Sequence, residues 1–213
     1  MPETLPPLIG VLDVTYKTLL VHVEPTPESN LRVRAAADLA NQLGATLIGV
    51  GGCKPAFLDN TWISTSPDGV AVQALVDLEA ADLKEAETRF RSLAAPLGPN
   101  ATWCSQNEYP DWFLPTCAAG ADLLVASTHR GPRASTATVA ALVMQAGIPV
   151  LSIPTDLPSI GTKNVLIAWK NTREARRAVS DALPLLRRAE KVIILSICTR
   201  SESGRASGDL HDV

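Results

Sequence analysis

Aromatic side chains are scarce in this chain: four Trp, three Phe and two Tyr make up 4% of 213 residues. Hydrophobic residues still reach 46%, so a real core can form, but Ala, Leu and Val must supply most of it. That suits helices packed on a sheet. The three histidines (His22, His129, His211) and four scattered cysteines (Cys53, Cys104, Cys117, Cys198) show no metal-ligand spacing and no Cys-x-x-Cys pair. No run approaches the roughly 18 apolar residues of a membrane span. The start, MPETLPPLIG, carries no basic patch before an apolar run and does not read as a secretory signal. A cytoplasmic chain with reduced, buried or incidental thiols is expected, bound to no membrane.

Catalytic motifs are missing too. There is no Gly-x-x-x-x-Gly-Lys loop, no Gly-x-Ser-x-Gly elbow and no His-Glu-x-x-His. No enzyme, no catalytic residue and no metal site is expected. Net charge is only −3, unevenly spread: residues 1–163 carry −6 and residues 164–213 carry +3. The basic excess (Arg173, Arg176, Arg177, Arg187, Arg188) falls largely on one predicted helix and reads as a solvated face. No aromatic residues interleave with it to stack bases, so no nucleic-acid partner is expected.

What is present is a repeat. At an offset of 146, Val165 falls on Leu19, and "TLLVHVEPTPESNLRVRAAADLANQLGATLIGV" lies over "NVLIAWKNTREARRAVSDALPLLRRAEKVIILSI" with no gap expected. Leu19–Val23 and Val165–Trp169 are continuous apolar runs, as for strands covered on both faces. Thr26 and Thr172 stand where helix caps belong, and Pro27-Glu28 favours the first turn. Ala35, Leu39 and Leu43 share one helix face, Leu47–Val50 and Val192–Ile197 make the next strands, and Pro184 should kink its helix.

Between the copies the alternation continues. A long amphipathic helix starts at Ser66-Pro67-Asp68, with Val76, Ala80, Leu83, Ala86, Phe90 and Leu93 along one side. Thr102–Ser105 is a short strand, Asp111–Ala119 a helix and Ala121–Ser127 a buried strand. Ser135–Ala146 is a helix closed by Gly147, and Pro149–Pro154 a last strand. Alternating strands and helices predict an α/β fold with a parallel sheet and right-handed crossovers. The expected layout is a domain over 1–154, a linker over 155–163 and an incomplete second repeat over 164–213.

The strand-turn-helix "VLIAWKNTREARRAVSDALPLL", the strand "GADLLVAS" and the turn-strand "AGIPVLSIP" together resemble the universal stress protein (UspA) family, in its tandem form with the second repeat cut short. The resemblance implies an open five-stranded parallel sheet between helices, ordered 3-2-1-4-5, of the adenine nucleotide α-hydrolase-like kind. It also implies an adenylate crevice at the strand C-terminal ends, a setting that suits open α/β sheets in general. Glu24, Val50, Ser127, His129 and Arg130 are the residues that would line it. Pairing of two chains along Pro149–Ile153 would give a homodimer.

ATP-binding members carry Gly-x-x-Gly, nine residues, then Gly-Ser or Gly-Thr after the fourth strand, so that backbone N–H groups can approach the phosphates. Aligned from Asp122, the first two glycines fall on Ser127 and Arg130, and no Gly-Ser or Gly-Thr pair follows before Gly147. Glu24 and Lys170 replace the first-strand Asp. The expected function is a non-catalytic stress-response binding or adaptor module with impaired or absent ATP binding and no cofactor, with a protein as its other partner. The alternative is an ATP- or adenylate-binding sensor with an unorthodox loop.

Overall fold

The computed structural model describes residues 15–52, 70–127, 137–157, 159–202, 204 and 207–208. Contacts divide the chain into two units, the first spanning Tyr16–Gly161 and the second beginning at Thr162.

The first unit runs β1 (Thr18–Val23), α1 (Pro27–Leu43), β2 (Thr46–Gly52), α2 (Val70–Leu93), β3 (Ala101–Gln106), α3 (Pro110–Ala118), β4 (Leu123–Ala126), α4 (Val139–Gln145) and β5 (Val150–Ser152). The five strands form one parallel sheet in the order β3-β2-β1-β4-β5. This is the expected fold. Leu19, Leu20, Val21, His22 and Val23 are all buried, because β1 is central and helices cover both its faces. Asp122 anchors the start of β1 beside β4: its Oδ2 accepts from the N–H groups of Lys17 (2.7 Å) and Thr18 (2.9 Å).

On one face, Leu20, Val50, Leu124 and Ala126 pack with Phe113 and Leu114 of α3 and Leu142 of α4. The other face meets α1 and α2, where Ala35, Leu39, Ala86 and Phe90 are buried. The expected stripe on α2 needs one correction. Ala80 is exposed and Glu79 is buried in its place, since helical periodicity drifts off a strict four-residue spacing and Asn107 reaches Glu79 with its amide. The start proposed at Ser66–Asp68 lies outside the described residues. Gly44 (φ +64°) closes α1, and Gly147 (φ +68°) follows α4.

Thr26 occupies the N-cap of α1 but makes no side-chain capping bond, whereas Thr172 accepts from Ala175 N–H at 3.2 Å. The second unit holds β6 (Asn164–Ala168), α5 (Arg173–Leu186) and β7 (Lys191–Leu195), with its two strands parallel. α5 continues through Pro184 as one helix. The ungapped alignment is off by one residue. Leu19 pairs with Leu47, 28 residues on, but Val165 pairs with Val192, 27 residues on. Nor are these strands covered on both faces: Leu166, Val192, Ile193 and Leu195 are exposed, because counterparts of α2, β4, α3 and α4 do not occur among the described residues of this unit. Arg177 on α5 is exposed and paired with Asp181 at 2.8 Å, as on a solvated face.

Two of the few aromatics pack together on the sheet. Phe90 and Trp103 meet at 5.6 Å between ring centroids, over β2. A Cβ at Gly49 would stand 2.6 Å from the Phe90 ring, and one at Gly51 2.7 Å from Trp103. Phe90 has no exposure into which to retreat. Gly49→Ala is therefore expected to destabilise the chain by about 2 kcal/mol through overpacking, measured as a lower urea midpoint at unchanged m-value.

Candidate functional site

The strand order reverses direction between β1 and β4, so the crevice at their C-terminal ends is where an open parallel sheet accepts a ligand. β1 delivers His22 and Glu24 to this end, β4 delivers Ser127, and β2 delivers Gly51 and Gly52.

A buried guanidinium organises the β1 side. Arg32 of α1 is only 3% exposed, yet it is well partnered. Its Nε donates to the His22 carbonyl at 2.7 Å, and its Nη2 donates to Glu24 Oε2 at 2.9 Å and to Ser29 Oγ at 3.2 Å. Ser29 Oγ also accepts from the Glu24 N–H at 3.1 Å. The first two turns of α1 are thereby fastened to the end of β1, and the Glu24 carboxylate is turned towards its own helix.

His22 is 2% exposed and its Nδ1 lies 3.9 Å from Glu24 Oε2. Burial pushes its pKa down to about 4; Glu24 opposes that shift and Arg32 adds to it. The imidazole is therefore neutral at physiological pH. Its Nε2 has no hydrogen-bond partner, and neither has Oγ of Ser127, which is also buried. Buried polar atoms are nearly always paired. Among the described residues Trp169 Nε1 in the second unit is another exception, while His22 near the end of β1 and Ser127 just past β4 belong to adjacent central strands.

Of the residues expected from sequence, Glu24 and Ser127 stand at the strand ends. Val50 is fully buried, beside His22 in the strand register, and packs in the α3–α4 cluster. His129 and Arg130 lie outside the described residues. Sequence reasoning missed Arg32 and Ser29. The signal for them was their three-residue spacing in the opening turns of the helix after β1, which points both back at the strand end. Glu79, held by Asn107 Nδ2 at 2.8 Å, is a further buried carboxylate, with Asn107 just past β3. Among the described residues, no group of three or more His, Cys, Asp or Glu is placed to hold a metal ion, and no helix is long and apolar enough to cross a membrane.

No protein-family model matches the chain, and no curated protein does. Solved structures do. A universal stress protein from Archaeoglobus fulgidus DSM 4304 superposes with a TM-score of 0.67 at 10% identity, covering 92% of this chain and 72% of that one. Universal stress protein UspA from Lactobacillus plantarum superposes with a TM-score of 0.53 at 20% identity, covering 66% of this chain and 99% of that one. The fold is that of the universal stress proteins. The Archaeoglobus match is too long for the first unit alone to account for, so it extends into the second. Another universal stress protein was crystallised in complex with cAMP; it covers 67% of this chain at 21% identity, with a TM-score of 0.45.

His22 yields a test of the site's electrostatics. Protonation is easier in the unfolded chain (6.5) than in the folded one (about 4), so the unfolded state binds more protons between these values. Stability from this residue is complete above about pH 6.5 and is lost as pH falls towards 4. Tm is expected to drop by roughly 5 °C from pH 7 to pH 5, and His22→Gln should flatten that slope in differential scanning calorimetry.

Proposed function

We propose that the chain is a universal-stress-type binding protein, without catalysis, whose β1–β4 crevice takes the nucleoside end of an adenylate. The observation that carries this reading is the pair of unpartnered buried atoms, His22 Nε2 and Ser127 Oγ. Both groups are neutral and can each donate or accept a hydrogen bond, which suits ribose hydroxyls and purine edges. Both are closed off from solvent, so occupancy requires the crevice to open.

The same site offers little to a triphosphate. Arg32, the buried cation at hand, is already engaged by Glu24, Ser29 and a carbonyl. The glycine spacing that brings backbone N–H groups to phosphates is absent from the sequence. Each charge-assisted hydrogen bond forgone is worth about 1.5–3 kcal/mol. Isothermal titration calorimetry with adenosine, AMP and ATP is expected to show binding of all three, with ATP within about tenfold of AMP. Ser127→Ala should weaken each about fivefold through one lost hydrogen bond. ATP binding a hundredfold or more tighter than AMP would show an intact triphosphate grip and reject the proposal.

A second reading, an adaptor that works through a protein partner with no nucleotide, is favoured by the Glu24 carboxylate being tied to Arg32. It becomes the better one if none of the three ligands binds. In either case we propose that β5, an edge strand, pairs with a second copy along Pro149–Ile153. Light scattering at micromolar concentration is expected to return a dimer mass, and a clean monomer would exclude the pairing.

A further inference from the structure

The four cysteines are scattered in sequence, but two of them meet in the fold. β3 is an edge strand, and Cys104 on it pairs in register with Val50 of β2. Trp103 turns to the α2 face to meet Phe90, so by alternation Cys104 points to the opposite face, the one α3 covers. Val50 packs there with Phe113 and Leu114, and Cys117 of α3 packs against the same cluster. Cys104 and Cys117 thus both flank Val50 on this face, near enough for each thiol to bear on the other's charge. Cys104 is exposed and Cys117 half-buried.

We propose that Cys104 and Cys117 form a dithiol modification site that hydrogen peroxide converts to a disulfide. Cys104 is the entry point, since it is an exposed residue of the edge strand and the thiolate is the reactive form. The Cys104 thiolate attacks one peroxide oxygen, the O–O bond breaks, and the departing hydroxide takes up a proton as water. Cys104 becomes a sulfenic acid. Cys117 sulfur then attacks Cys104 sulfur, the S–O bond breaks, and the Cys117 proton leaves with the hydroxide as a second water. Two thiols give up two electrons and two protons, and one peroxide becomes two waters.

The surroundings assign the order of events. Burial first, and then the adjacent Cys104, push the Cys117 thiol up to about 12, so Cys117 stays protonated while a Cys104 thiolate reacts. Oxidation turns that thiolate into a neutral sulfenic acid and removes the charge that helps hold the Cys117 proton in place. The resolving thiol is released by the product of the first step. The bridge would fasten edge strand β3 to α3 across the β3–α3 connection. That connection passes close over Gly52, where a Cβ would meet the Glu108 carbonyl oxygen and Pro110 Cα at 3.2 Å. Oxidation would thus stiffen the rim of the strand-end crevice, whatever occupies it.

Both cysteines fall in the single tryptic peptide Ser92–Arg130. The full chain is treated with stoichiometric hydrogen peroxide, alkylated with iodoacetamide, digested and weighed. The expected product is that peptide two hydrogens lighter and free of alkyl groups, with both groups restored after dithiothreitol. Cys117→Ser is expected to leave Cys104 as a sulfenic acid, labelled by dimedone about tenfold more than wild type, which resolves it. The variant lacking Cys53 and Cys198 (both to Ser) should still form the bridge and decides the matter if Cys117→Ser fails to fold. Cys104 recovered as a sulfinic acid with Cys117 alkylated, or Cys104 bridged to Cys53 or Cys198, would overturn the proposal.

Discussion

The strand-end crevice depends on how the Arg32 guanidinium is held. It joins a backbone carbonyl of β1, a carboxylate just past β1 and a hydroxyl in the first turn of α1. A buried cation is tolerable only when its donors are matched in this way. The bonds fix where α1 starts relative to the central strand, and so set the wall on which any occupant of the crevice rests. Losing one side of such a pair costs roughly 3–5 kcal/mol, because the other charge is left uncompensated. The arrangement also explains the unused Thr26 cap. Ser29, three residues into α1, already accepts from the Glu24 N–H and from Arg32, so the turn is pinned from the helix side.

The two β-α-β copies show what local sequence decides and what it leaves to context. Both place an apolar strand, a Thr-led helix and a second apolar strand in the same order and pairing sense. The local rules were enough for that. Burial differs: Leu19–Val23 are sealed, whereas Leu166 and Ile193 are exposed. An apolar strand states a demand for cover, and only the rest of the sheet and its helices can meet it. The one-residue shift in pairing is the net of two differences. The helix ends three residues sooner in the second copy, 14 residues against 17, and the connection to the next strand is two residues longer. Glycine at position 44 makes the exit from the helix left-handed in the first copy; in the second, Arg187 stays in the helical region.

Strand positions and helix ends were legible because they follow from periodicity and from punctuation by Gly and Pro, whereas the sheet order came from the family resemblance. Asp122 was legible as part of a motif, although its work is seen only in the structure, where it holds two N–H groups at the foot of β1. Arg32 was legible only as a position on the helix face turned to the strand end, not as a buried group. A basic residue on the first turns of a surface-reading helix is ordinarily solvated, and only the proximity of Glu24, eight residues earlier and on another element, draws it inside. The same limit hid Glu79 with Asn107 and Cys104 with Cys117: each pair joins side chains that chain spacing does not relate, brought together by helices crossing the sheet. Glu24 and Ser127 stood out because the family resemblance puts its binding positions there, and sites in parallel sheets gather at strand ends.

The charge state of His22 follows from the same constraint and limits what the crevice can recognise. Burial disfavours its protonation, and so does Arg32; Glu24, the one group that favours protonation, is committed to Arg32 by a shorter contact. A protonated His22 would place a second buried cation against a carboxylate that already serves the first. Among the described residues at this strand end, Arg32 is the cation, and it is already engaged. What remains unpaired is neutral: an imidazole nitrogen and a hydroxyl. Such groups discriminate by the direction of hydrogen bonds more than by charge, and they select a ligand by shape and by its donor and acceptor pattern. Anion recognition at this end of the sheet would need positive potential beyond what the described residues His22, Glu24 and Ser127 supply and what Arg32 already commits to Glu24.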